Sequence, residues 1–269
     1  MAAELIFEKK PKALLAVIDS WIMVKRSSTH IIRTTDQLLG AFFQPIMFLI
    51  LFAAVFGGAI GHSLPKGVTY LDFLMAGIIV QTVAFGCTTT AVAICNDLQK
   101  GIVDRFRSLP MSNIAVLNGH VISDLLRNTI STVVMLLTGL LIGFRSHASI
   151  GHWVLIAGIL LLFTFAFSWV AAIVGVIAKS VEAVQWLTFV FIFPLTFASS
   201  AFVPAETMPH YLRAFAVNQP ITQVVDAVRS LILNAPVQNH VWLSVVWSIG
   251  LLIISIPIAS TLFRRKAAN

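Results

Sequence analysis

The chain has 269 residues, 58% of them hydrophobic and only 11% charged, with a formal net charge of +7. Soluble domains carry roughly 25% charged residues, and one of this length still has to cover its surface with polar groups, which excludes an ordinary soluble enzyme or nucleic-acid-binding domain. The polar residues bunch between long apolar runs, as in a chain solvated by lipid, and the excess of 18 Lys and Arg over 11 Asp and Glu reads as inner-face bias and attraction to anionic lipid rather than to nucleic acid.

In chain order, the charged first residues, through Lys12, lead to no short apolar core with a small-residue cleavage site, so no cleavable signal peptide is expected. Over 12–34, Leu14, Val17, Ile18, Trp21 and Val24 recur at helical spacing, with Lys25, Arg26 and Arg33 further along. This pattern predicts an amphipathic helix on the inner membrane surface; a cytoplasmic helix packed on the protein is the plainer alternative. Six stretches then reach the roughly 20 apolar residues that a spanning helix needs: 38–60, 70–94, 120–144, 153–178, 183–203 and 241–263. Pro45, Pro194 and Pro257 predict kinks within them.

Two connections are more informative than the spans. In 96–110, Leu98, Ile102, Phe106 and Leu109 make one apolar stripe, Asp97, Lys100, Asp104, Arg105 and Arg107 take the remaining surface, and Pro110 is a stop. So short an amphipathic helix is poorly stable alone and needs a partner for its stripe. The segment 204–239 is too apolar for a free loop and too broken for a span. It predicts two short helices, 208–215 and 221–233, punctuated by Pro204, Pro209, Pro220 and Pro236, that dip into the membrane and return.

Six spans place both termini on one side. With the N-terminus inside, the cytoplasmic segments hold Lys9, Lys10, Lys12, Lys25, Arg26, Arg33, Lys100, Arg105, Arg107, Lys179, Arg264, Arg265 and Lys266. The outer segments hold only Lys66, Arg145, Arg213 and Arg229, so both termini are expected in the cytoplasm. One membrane domain, 38–263, follows a cytoplasmic N-terminus, 1–37, and precedes a basic tail, 264–269.

No G-x-x-x-x-G-K-[ST] phosphate loop, H-E-x-x-H or G-x-S-x-G occurs. Cys87 and Cys95 lie in one apolar run without ligand spacing and read as small buried residues. The seven histidines are scattered, and no bound cofactor or metal is expected. Asp124 and Arg127 are i, i+3 neighbours that can neutralise each other, and they share a helix face with His120 and Ser131. That face is either a polar stripe along a substrate or gating path, or a self-paired anchor at the cytoplasmic end of the span. Gln81 and Thr88, Thr89 and Thr90 interrupt the second span, as interhelical glue or as substrate-facing groups.

The run Asn96-Asp97-Leu98-Gln99-Lys100-Gly101-Ile102-Val103-Asp104-Arg105-Phe106-Arg107-Ser108-Leu109-Pro110 resembles the hallmark of type-2 ABC transporter permeases, especially the daunorubicin-resistance branch of drug-efflux permeases. Asn218-Gln219-Pro220, with Arg229 downstream, is similar to that family's external hairpin, and 197–204 leading to Met208-Pro209 is a third likeness. Ala76-Gly77 stands where the family often has Pro-Gly, and Gly119-His120 where it often has Gly-Arg.

The resemblance implies an all-α polytopic fold: six transmembrane helices, an N-terminal elbow helix over 12–34, a cytoplasmic coupling helix over 96–110 and an outer re-entrant hairpin over 204–239. It implies a transporter subunit rather than an enzyme, exporting a hydrophobic or amphipathic drug or antibiotic-like compound across a bacterial plasma membrane. Two copies of a separate ABC ATPase would bind the ATP and Mg, and a second permease chain would complete a homodimer or heterodimer. Asp97, Lys100, Gly101, Ile102, Asp104, Arg105, Phe106, Arg107, Leu109 and Pro110 would couple to the ATPase. Gln81, Thr88, Asp124, Arg127, Asn218, Pro220 and Arg229 are candidates for the translocation path or its gate. Lipids, glycans and peptides are alternative cargoes. A stand-alone secondary transporter is a weaker reading, since Asp124 is the only intramembrane carboxylate at hand and no inverted repeat is visible.

Overall fold

The computed structural model describes residue 24 and residues 35–61, 64, 67–101 and 113–268, with side chains for 24, 43–61, 64, 67–101 and 115–266. The expected elbow helix, apart from Val24, and the part of the expected coupling helix after Gly101 lie outside the described residues.

The described elements are helical throughout: α1 Thr35–Gly61, α2 Tyr70–Gly86, α3 Thr88–Gln99, α4 Asn113–Ile142, α5 Ile150–Ile177, α6 Val181–Phe197, α7 His210–Asn218, α8 Pro220–Ile232 and α9 His240–Ala268, with one 3-10 turn at Ala205–Thr207. Their starts are written in the sequence. Thr69, Ser149 and Ser180 each accept, through the side chain, a backbone N–H two or three residues into α2, α5 and α6. Pro209 and Pro220 open α7 and α8, where a missing N–H costs nothing.

Among the described residues, five apolar stretches are long enough to cross a membrane: Phe43–Gly61, Tyr70–Gln99, Ala115–Ile142, Ile150–Ile177 and His240–Lys266. The remaining expected span, 183–203, is shorter than its hydropathy suggested. Its helix, Val181–Phe197, has 17 residues, about 25 Å at 1.5 Å per residue, against a hydrocarbon core of about 30 Å. Pro194 lacks an N–H, and beyond Phe197 the chain turns through Ser199 and Ser200. The side-chain amide of the buried Gln219 donates to the carbonyls of Leu195 (2.7 Å) and Ala198 (2.8 Å), so this helix end is satisfied inside the protein.

Two apolar clusters form the core, and α5 contributes to both, through Phe163 and Phe167 in one and Trp169 and Val176 in the other. Helix α5 packs on α9, α3 and α4, while α8 lies among α2, α5 and α9. The short helix α8 is buried on nearly every side, including Ile221, Val224, Val225, Val228 and Leu231. Its neighbour α7 exposes Tyr211 and Phe215. Thus the two helices expected in the hairpin form, but one is core and the other is surface. Exposed faces of α1, α6 and α9 carry Phe43, Val55, Trp186, Phe191 and Ile253, side chains suited to lipid or a neighbouring chain.

The junction at the end of the second span differs from the predicted coupling helix. Asn96 to Gln99 continue α3, and the helix stops at Lys100. Gly101 adopts φ +63, a left-handed conformation that glycine enters without a Cβ penalty and that commonly ends helices. Its N–H donates to the Leu98 carbonyl. Leu98 therefore lies on the last turn of α3, a helix that ends before Gly101.

Candidate functional site

Three buried polar assemblies stand out, and each holds residues singled out in the sequence. The first lies on the inward face of α4. Arg127 and Asp124 pair one helical turn apart, both largely buried. Asp124 also accepts from the Ser168 hydroxyl on α5 at 2.6 Å. The Arg127 guanidinium donates to the Gly86 carbonyl as well, at the break between α2 and α3. At that break Thr90 N–H donates to Cys87 O rather than to Gly86 O, leaving the Gly86 carbonyl to the guanidinium and to the Thr89 hydroxyl at 3.0 Å. A side chain inserted into a helix ladder is a recognised cause of bending, so Arg127 sits at the middle of the second span as a wedge.

A cavity of about 210 Å³ opens beside this wedge. Helix α1 contributes Gln44, Pro45 and Phe48; α2 and α3 contribute Gln81, Phe85, Gly86 and Thr89; and α4 contributes Arg127, Asn128 and Ser131. Of the residues expected to line a path, Gln81 and Arg127 meet here, and Asp124 stands behind Arg127. Thr88 is half-buried and Thr89, one position on, takes the wall. Asn128 and Gln81 are 2% and 4% exposed. Both side-chain polar atoms of Asn128, and the carbonyl oxygen of Gln81, have no hydrogen-bond partner.

The second assembly is built on α8. Arg229 repeats the Asp-x-x-Arg spacing with Asp226, at 2.8 Å. Its guanidinium further donates to the backbone oxygens of Phe73 (3.2 Å) and Ser200 (2.6 Å) and lies 3.6 Å from the centre of the Phe73 ring. Ser200 closes the circuit by donating to Asp226 at 2.6 Å. The Tyr70 hydroxyl donates to the Phe202 carbonyl, and Gly77 makes room for the same turn: a Cβ there would come within 2.1 Å of the Ala201 oxygen. Arg229 thereby ties α2, the turn after α6 and α8 together. Pro220 starts α8, while Asn218 is exposed and bonds back to Ala214 in its own helix. These three residues do not join Gln81 and Arg127 at the cavity.

The third assembly sits at the other end of α3. Asp97, expected on the coupling helix, is buried and pairs with His120 Nε2 of α4 at 2.9 Å. Gln99 donates to the Lys179 carbonyl at 2.7 Å, and Lys100 is exposed. Ile102, Asp104, Arg105, Phe106, Arg107, Leu109 and Pro110 lie outside the described residues. The Asp97–His120 pair thus holds the two helices that flank the 102–112 segment. Among the described residues, no three His, Cys, Asp or Glu side chains gather as a metal ligand set.

The sequence reading missed Gln44, Asn128 and Ser168, and it quoted Gln219 without giving it a role. Gln44 and Asn128 were detectable as amides in apolar runs. Ser168 and Gln219 matter through partners 44 and 24 residues distant, which no local pattern reveals.

Comparison with known proteins gives this arrangement a family context. The family model described as ABC-2 type transporter matches residues 19–233. The daunorubicin resistance ABC transporter permease protein DrrB1 of Streptomyces coeruleorubidus is 33% identical over 233 residues, covering 87% of this chain and 81% of that protein. A probable doxorubicin resistance ABC transporter permease protein, DrrC of Mycobacterium tuberculosis, is 25% identical over 92% of this chain and 89% of its own length. The putative transport permease ycf38 of Cyanophora paradoxa is 24% identical over 78% and 73% of the two chains.

Proposed function

The chain belongs to the ABC-2 type transporter family, and on that premise we propose that it is the membrane-spanning permease subunit of an ATP-driven exporter. The observation that carries this reading is the family match over residues 19–233, which takes in the whole 96–110 segment and the 204–232 part of the hairpin. A separate ABC ATPase, in two copies, supplies ATP and Mg chemistry. A second permease chain, identical or related, faces this one. Six spans, with Val181–Phe197 and the turn after it as the fifth, leave both termini in the cytoplasm of a bacterial cell. The cargo is a hydrophobic or amphipathic drug or antibiotic-like compound, in keeping with the daunorubicin and doxorubicin resistance named for the relatives.

The mechanical route runs through the second span. Its cytoplasmic half, α3, begins at the Arg127 wedge and ends at the Asp97–His120 pair, so a push on the segment after Gly101 is delivered to one rigid half-helix. That half-helix pivots where Gly86 and Cys87 interrupt the ladder, beside the cavity. Arg105→Glu and Phe106→Ala test the docking role: both lower co-purification of the ATPase and abolish ATP-dependent efflux. Unchanged co-purification and efflux in both variants overturn it.

A further inference from the structure

We infer that the cavity between α1, the α2–α3 break and α4 binds the neutral, hydrogen-bonding end of an amphipathic molecule, whose apolar part lies along α1. Buried polar side chains are nearly always bonded. Asn128 is an exception at both its amide atoms and Gln81 at its carbonyl oxygen, and the two residues line the same space. Together they hold, in the walls of that space, amide atoms that no described group of the chain engages and that a turn of either side chain would bring to an occupant.

The size and outlet of the space argue for an amphipathic occupant rather than water alone. About 210 Å³ accommodates roughly seven waters by liquid volume, less than the roughly 300–1,000 Å³ of a drug-sized site, so only one end of such a molecule fits. A second hollow of about 330 Å³ adjoins it along α1, lined by Phe43, Met47 and Leu51, with Gln44 and Phe48 common to both. The chamber that gathers the polar side chains therefore continues into a groove on an exposed helix face whose described lining, Gln44 apart, is apolar. A head in the first and a tail in the second matches both linings.

Charge decides the class of head. The guanidinium of Arg127 is matched by Asp124, so among the described residues the chamber offers hydrogen bonds without net charge. A hydroxyl- and carbonyl-bearing neutral head is favoured over an ammonium or a phosphate, which would bring an unmatched charge to membrane depth. Naming the occupant as cargo rests on the exporter reading above; the site itself does not.

The full chain in phosphatidylcholine nanodiscs, without ATPase, separates the two questions. The probes are a glycerol monoester of pyrenebutyrate (neutral, two hydroxyls and a carbonyl), 1-pyrenebutyrate (anionic) and 1-butylpyrene (apolar), followed by energy transfer from tryptophan. The monoester binds saturably and at least about tenfold more tightly than the other two. Asn128→Leu weakens the monoester about three- to tenfold, the worth of one or two neutral hydrogen bonds, and leaves 1-butylpyrene unchanged. Gln44→Leu, on the exposed face of α1 and away from the packed core, weakens it in the same sense. Equal affinity for the three probes, or an unchanged monoester affinity in both variants, overturns the site. Displacement of the monoester by equimolar dioleoylglycerol assigns the site to a bilayer lipid and overturns its assignment to cargo.

Discussion

Two Asp-x-x-Arg pairs sit in this molecule with the same spacing and nearly the same burial of the arginine, yet their surroundings differ. Arg229 is enclosed by Asp226, three backbone carbonyls and an aromatic ring, and its carboxylate partner is engaged by Ser200. Arg127 is joined to Asp124 and to one carbonyl at a helix break, and it faces a space whose amides are unengaged. The first arrangement is a closed rivet and the second an open one. A buried ion pair is therefore not by itself a sign of function; what distinguishes the two is whether the polar groups around the pair are satisfied by the chain.

The contrast is broken most severely by Arg229→Met. It strands the Asp226 carboxylate and removes a donor from three elements, with an expected loss of about 3–5 kcal/mol of stability, read as a large fall in the thermal midpoint of the purified protein in detergent. Gly77→Ala attacks the same rivet from the other side by driving a methyl group against the Ala201 carbonyl. Overpacking of this kind costs about 1–3 kcal/mol, measured the same way. Asn128→Leu, next to the open pair, has the smallest effect on stability. Replacing an unbonded buried amide by an apolar group of similar size is expected to leave the midpoint unchanged or slightly raised, while export activity falls. A fall in stability at Asn128 comparable to that at Gly77 erases the distinction between the two pairs.

Much of the frame was legible because lipid imposes a simple rule: apolar runs of sufficient length become helices that bond themselves. Proline placement located both hairpin helices to within about two or three residues, and i, i+3 spacing announced the Asp124–Arg127 pair. Hydropathy overran the end of α6 because it does not register the carbonyls left free after Pro194, which Gln219 collects from the junction of α7 and α8. It also assigned Leu98 to the 96–110 helix, when the helix that carries Leu98 stops at Lys100, before the left-handed Gly101. The cavity was illegible for a related reason. Whether Thr88 or Thr89 faces it depends on the interruption at Cys87, which shifts the helical phase and has no periodic signature.

The exporter reading is tested most directly by reconstitution. Inside-out proteoliposomes containing this chain and an ABC ATPase subunit should accumulate the neutral pyrene monoester when ATP and Mg are added outside. The chain alone should not accumulate it under either ATP or an imposed proton or sodium gradient. Accumulation by the chain alone, driven by an ion gradient, contradicts the account.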